Sequence, residues 1–66
     1  MKNTLKTARA NQSLTQQELA EKSGVSRQTI HSIESGRYVP STLLALKLAA
    51  ILKTKVEALF QLEADD

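Results

Sequence analysis

Apolar residues recur along the chain at helical spacing, in short runs separated by small and polar residues. A first helix is predicted from Asn3 or Thr4 to Asn11, with Leu5 and Ala8 facing inward. Asn11-Gln12-Ser13 follows, and an asparagine there can close the helix in the left-handed conformation. The second helix starts at Thr15, because Thr15 and Glu18 have the spacing of a capping box, and Leu14 can staple against Leu19. It runs to about Ser23, where Gly24 supplies a positive φ for a sharp reversal. Val25 enters the core, Ser26 caps a third helix to about Ser35, and Gly36 ends it.

Arg37-Tyr38-Val39-Pro40 reads as a loop, since a residue before proline is pushed out of helical geometry. Ser41 caps a fourth helix, TLLALKLAAIL, which is apolar on nearly every side except at Lys47 and so is expected at the centre of the domain. Thr54 and Glu57 repeat the capping-box spacing and predict a short fifth helix ending near Phe60. The tail Gln61-Leu62-Glu63-Ala64 alternates and can either pair as a short strand with Met1 to Leu5 or fray. The expected fold is all-α: five helices in one domain over residues 1–66, with a short terminal strand pair as an option.

Size sharpens this picture. A chain of 66 residues buries only about 60% of its unfolded surface. With no cysteine and one histidine, neither disulfides nor an ordinary zinc site can reinforce it. Tight helix packing and self-association remain. No apolar run approaches the roughly 20 residues of a membrane span, and MKNTLKTARA lacks a signal-peptide core, so a cytoplasmic, bacterial or phage-encoded protein is expected.

Charge is divided unevenly. All nine Lys and Arg lie in residues 1–56 against three acids, a charge of +6, while the last ten residues carry Glu57, Glu63, Asp65 and Asp66. A basic body suits a polyanion, although many basic faces are simply solvated.

The stretch Gln16 to Ser35, QQELAEKSGVSRQTIHSIES, has the spacing of a helix-turn-helix. Two helices crossing steeply need a small residue at the crossing, Ala20, and a glycine at the bend, Gly24. They also need apolar residues on the shared core, here Leu19, Val25, Ile30 and Ile33. Ser23 stands where such units usually hold an apolar side chain, which predicts looser packing at the turn.

With Ile30 and Ile33 turned inward, the rotation of about 100° per residue puts Gln28, Ser32 and Ser35 on the opposite side, flanked by Arg27 and His31. Side chains near the start of a recognition helix reach base edges. Arg27 suits the O6/N7 pair of guanine and Gln28 the N6/N7 pair of adenine, with Ser26 and Ser32 as secondary readers. Arg27 suits a phosphate as well, and Gln28 can be a solvated polar residue. The start of the second helix, at Gln16, offers unpaired N–H groups to a phosphate. His31 reads as a solvated or backbone-proximal side chain rather than as a pH sensor or ligand. No carboxylate is placed to orient it beside a serine, so no catalytic site is expected, and no cofactor, metal or small-molecule ligand.

LTQQELAEKSGVSRQTIHSIESGRYVPS, LALKLAAIL and VEALF together resemble the Cro/CI-type (Xre-like) helix-turn-helix family of phage and plasmid repressors and small bacterial regulators. The resemblance spans about Leu5 to Phe60. It implies five helices around one core, a dimer, and double-stranded DNA as partner. It also implies phosphate contacts by Gln16 on one side and by Ser35 and Arg37 near Gly36 on the other, with Thr29 between, and an Arg9–Glu34 ion pair tying the first helix to the third; otherwise these are two separate surface charges. Departures are Ser23, Ser35 for a frequent asparagine, Lys53 for a frequent glycine and Lys55 for a common capping serine.

With four helices committed to core and DNA, the remaining apolar surface is expected in a dimerisation region at residues 54–64: Val56, Leu59 and Leu62, together with Val39. The same Val56, Leu59 and Phe60 can instead close the core of one subunit. The simplest function is a dimeric repressor that blocks polymerase from a palindromic operator. The antitoxin of a toxin–antitoxin pair, or a protein-contact module on the same fold, would share these residues.

Overall fold

Three side-chain hydroxyls start three of the helices. In the computed structural model, which describes residues 1–66, the order is β1 (Lys2–Asn3), α1 (Leu5–Asn11), α2 (Gln16–Ser23), α3 (Arg27–Glu34), α4 (Thr42–Ile51), α5 (Val56–Leu59) and β2 (Phe60–Gln61). At α2, Thr15 Oγ1 accepts the Glu18 N–H at 3.0 Å while the Glu18 carboxylate accepts the Thr15 N–H at 2.9 Å. Ser26 accepts from the Thr29 N–H at 3.1 Å and Ser41 from the Leu44 N–H at 3.2 Å. Each cap contributes about 1 kcal/mol by satisfying a donor that the helix itself cannot.

The helices end alike. After α1, α3 and α4 the residue two past the last helical position adopts positive φ: Ser13 at 57°, Gly36 at 80° and Lys53 at 57°. In each case two backbone N–H groups fold back onto orphan carbonyls, as Lys53 does to Ala50 at 3.3 Å and Thr54 to Ala49 at 3.0 Å. Gly24 does the same service for α2 at φ 76°. Ser13, not Asn11, therefore makes the left-handed turn after α1. The reason is that Leu14 is pinned to Arg9 twice, N–H to carbonyl at 3.1 Å and carbonyl to guanidinium Nη1 at 2.8 Å, which places the reversal just before it.

The capping box expected from Thr54 and Glu57 does not form. Thr54 is already used in closing α4, so α5 begins one residue later with Lys55 at its N-cap and no side-chain cap.

Leu5, Leu19, Ile30, Ile33, Leu48 and Leu59 are fully buried, with Ala20 at the crossing of α2 and α3. Leu14 and Val25 are half-buried against this cluster. Ser23 is buried too, and its hydroxyl donates to the Leu19 carbonyl at 2.7 Å, so the turn is closed by a hydrogen bond where an apolar side chain was expected. No buried side-chain polar atom lacks a partner.

Two expectations are corrected by burial. Leu59, assigned to an interface between copies, lies in the subunit's own core, as the one fully buried position of the short α5, with Val56 and Phe60 packed against the same core. And α4 is not surrounded: Leu44, Ala45, Leu48 and Ala49 are buried, but Leu43 is 65% and Leu46 56% exposed. The bundle has helices on only one side of it.

At the termini, Lys2 and Asn3 pair antiparallel with Gln61 and Phe60, so the ladder starts at Phe60 and excludes Leu62. Thr4 clamps it, donating through its N–H to Leu59 O at 2.8 Å and through Oγ1 to Ala58 O at 2.7 Å. No helix is long and apolar enough to cross a membrane.

A lysine in left-handed backbone costs about 1 kcal/mol. Lys53→Gly should therefore raise stability in urea unfolding by up to about 1 kcal/mol, and Lys55→Ser should add about 0.5–1 kcal/mol through the missing cap. Gly36→Ala should lower stability by about 1 kcal/mol through φ alone, since an added methyl meets nothing within 4 Å.

Candidate nucleic-acid interface

Helix α3 is held along one edge and open along the other. Ile30 and Ile33 carry the buried edge, while Arg27, Gln28, His31 and Ser35 are exposed and Thr29 and Ser32 half-buried. On the side toward α2, Gln16, Ser26, Arg27, Gln28 and His31 line an open recess that contains no hydrophobic residue. On the other side, Ser26, Gln28, Thr29, Ser32 and Tyr38 line a second recess floored by Val25 and Leu44. Gln28 stands on the ridge between them.

The candidate contact residues differ in how committed they are. Arg27, Gln28 and Arg37 are exposed, and neither arginine has an ion-pair partner in the chain. Ser26 Oγ already accepts the cap bond and lies 2.9 Å from Thr29 Oγ1, so both hydroxyls begin engaged with each other. Ser35 donates to the Ser32 carbonyl at 3.1 Å, and the same carbonyl accepts the N–H groups of Arg37 at 2.9 Å and Tyr38 at 3.2 Å. That carbonyl holds the Arg37 loop against the end of α3. Gln16 is half-buried, and its amide nitrogen donates to Glu34 Oε1 at 3.1 Å and lies 3.5 Å from His31 Nδ1.

Val39, Val56 and Leu62 lie elsewhere. Val39 and Val56 share an apolar groove with Pro40, Ala45, Leu46 and Phe60. Leu62 is 83% exposed and lies outside it.

Sequence reasoning passed over one residue here. Tyr38, 46% exposed, joins Ser32 and Thr29 at the second recess, because the loop is folded back on α3; its only signal was being one of two aromatics. His31, expected to flank the outward side, is exposed there and faces Gln16 across the helix pair. No group of three His, Cys, Asp or Glu side chains comes together in a way that could hold a metal ion.

A helix-turn-helix family model matches residues 5–59. The chain belongs to that family. It is similar to an uncharacterized HTH-type transcriptional regulator of Methanocaldococcus jannaschii, 53% identical over the whole of both chains. The uncharacterized HTH-type transcriptional regulator YgzD of Bacillus subtilis is 47% identical, again over the whole of both. Among solved structures, the restriction-modification controller protein C.AhdI from Aeromonas hydrophila superposes with a TM-score of 0.78 at 34% identity, covering 85% of each chain. This helix-turn-helix protein is a DNA-binding transcription regulator of the Xre/Cro-CI type and not an enzyme. Relatives from both Methanocaldococcus and Bacillus do not single out a bacterial or phage source.

Glu34 is the one acid on α3, and it is paired rather than free. Glu34 Oε2 accepts from Arg9 Nε at 2.7 Å and Oε1 from Arg9 Nη2 at 3.3 Å, with side chains only 5% and 15% exposed. Burial pushes the Glu34 carboxyl upward, but the hydrogen bonds from Arg9 and Gln16 outweigh it and leave the group below its ordinary value of 4.5. The Arg9 guanidinium is raised in turn by its hydrogen bonds to Glu34.

Two outcomes follow from this pair. Arg9→Ala, which strands a largely buried carboxylate, should cost about 3 kcal/mol in chemical unfolding, and Arg9→Met with Glu34→Leu should recover at least half of it. Because the native Glu34 binds its proton less readily than the unfolded chain does, its contribution is complete above pH 4.5 and fades as pH falls through the lowered value. Thermal melts between pH 7 and 3 should show a shallower acid decline for Glu34→Gln than for the parent.

Proposed function

We propose that the chain is a dimeric repressor that reads a palindromic operator by laying α3 in the major groove. The observation that carries this is the open edge of α3: Arg27 and Gln28 project from the start of a helix whose opposite edge is locked into the core. Arg27 and Gln28 read guanine and adenine edges, and Ser26 and Ser32 add contacts once their hydroxyls reorient. Gln16 and Thr29 take phosphates on the α2 flank and beside the groove, while Ser35 and Arg37 take the strand at the far end of α3.

One recognition helix spans too few base pairs for selectivity, and two related by a dyad read half-sites about 34 Å apart. The apolar groove of Val39, Leu46, Val56 and Phe60, with exposed Leu43 and Leu62 beyond it, supports a self-complementary contact between two copies. The uncovered face of α4 thereby takes the place that Leu59 vacates. The bound dimer acts in the cytoplasm by occluding polymerase.

Selection from random duplexes, followed by mobility shifts over a range of salt, tests this reading. Arg27→Ala and Gln28→Ala should each cost about 1–3 kcal/mol on the selected site and little on scrambled DNA. Arg37→Ala should weaken both and reduce the salt slope by about 1. A complex indifferent to sequence and salt would sink the proposal. For the dimer, sedimentation of Leu46→Glu should give a monomer whose helix content matches the parent; a parent that is monomeric at high micromolar concentration would remove the interface.

A further inference from the structure

His31 lies at the end of a hydrogen-bond chain that starts inside the protein. Arg9 donates to Glu34 Oε2 at 2.7 Å, Gln16 Nε2 donates to Glu34 Oε1 at 3.1 Å, and the same Nε2 is 3.5 Å from His31 Nδ1. An ionised carboxylate only accepts, so the Gln16 amide must turn its NH2 group toward Glu34. Its second N–H can donate to His31 Nδ1 in the tautomer whose lone pair is on that nitrogen. In that tautomer the ring proton is on Nε2, and His31 itself is exposed in the polar recess with Arg27, Gln28 and Ser26.

We propose that Gln16 and His31 form a paired phosphate clamp that protonation of His31 tightens. In the neutral state His31 Nε2–H donates to a phosphate oxygen beside the start of α2, while the Gln16 amide is partly held by the ring. Adding a proton at Nδ1 turns that nitrogen into a donor, and the long contact with Gln16 breaks. The released amide N–H turns to the same phosphate, and the imidazolium adds a positive charge against it. Gln16 from α2 and Arg27 from α3 stand beside His31, and Glu34 is reached through Gln16, with Arg9 and Lys6 of α1 acting on that carboxylate. Glu34 is neutralised by Arg9, so it stays an acceptor for Gln16 throughout this range.

The chain suits a pH experiment because His31 is its only histidine. The Met1 amine, hydrogen-bonded to the Glu63 and Asp66 carboxylates, is pushed above its ordinary 8.0 and keeps its proton at lower pH.

The clamp rests on the operator reading, and its test separates the two. Fluorescence anisotropy of the full chain would be measured on the selected duplex and on a scrambled duplex of equal length, at pH 5.5 and 8.0 and constant ionic strength. The parent should bind both duplexes about fivefold more tightly at the lower pH, as one added charge-assisted phosphate contact requires. His31→Gln and His31→Ala should lose this pH dependence while still preferring the selected site. An equal pH response in His31→Gln overturns the clamp, and so does tightening confined to the selected duplex, which would put His31 on a base edge. Imidazole 15N shifts of the free protein near pH 8 should show the Nε2–H tautomer, and an Nδ1–H tautomer overturns the clamp without any DNA. A parent chain that ignores every duplex at both pH values overturns the operator reading and the clamp together.

Discussion

Ile30 and Ile33 anchor α3 by a single edge, and the rest of the molecule is arranged around keeping it that way. A helix that is to lie in a groove cannot be covered on its outer side, so its attachment has to come from less than half its circumference. In a core of about ten residues that is a severe restriction. The fold compensates with polar ties made from inside and from the ends. Asn3 donates to the Ile33 carbonyl at 3.0 Å, Arg9 holds Glu34, and the Ser32 carbonyl gathers the backbone of the following loop. Ala20, with almost no side chain, lets α2 approach closely enough to complete the crossing.

The short helices make their ends matter as much as their packing. Helices of four to ten residues leave a large share of their backbone groups without intrahelical partners, so caps and return turns carry much of the hydrogen bonding. Every helix from α1 to α4 closes through a residue at positive φ, yet glycine occupies only two of the four positions. Ser13 and Lys53 adopt the strained conformation because the paired backbone bonds of each turn over-determine it. The left-handed turn at Lys53 and the uncapped Lys55 fall in the same connection, which is the least optimised part of the backbone.

Stability and recognition meet at Glu34. The carboxylate that joins α1 to α3 through Arg9 also orients Gln16 on α2, so three helices converge on one buried group at the edge of the candidate interface. An acid there would oppose DNA if it were free. Paired and nine-tenths covered, it is a fixed acceptor for Arg9 and Gln16. A carboxylate paired in this way adds little negative charge to the exposed edge of α3.

Helix number, the three hydroxyl caps, the bends at Gly24 and Gly36 and the inward isoleucines were all legible in the residues, because each depends on local backbone chemistry or on a period of 3.6. So was the outward ridge of Arg27 and Gln28, since a helix with one edge assigned has its other edge assigned too. Family membership was legible for the same reason: a helix-turn-helix is a local motif. What the residues alone left undecided was competition between neighbours. Thr54 could cap α5 or close α4, and only the return of its N–H to Ala49 decides it. Leu59 and Leu46 are both apolar and both helical, and nothing local says that the first fills the core while the second stays exposed. His31 looked idle until α2 placed Gln16 beside it. Local pattern determines which backbone forms and which edge is apolar; which of several chemically equivalent groups gets the available partner depends on atoms distant in sequence, and so only the tertiary structure decides it.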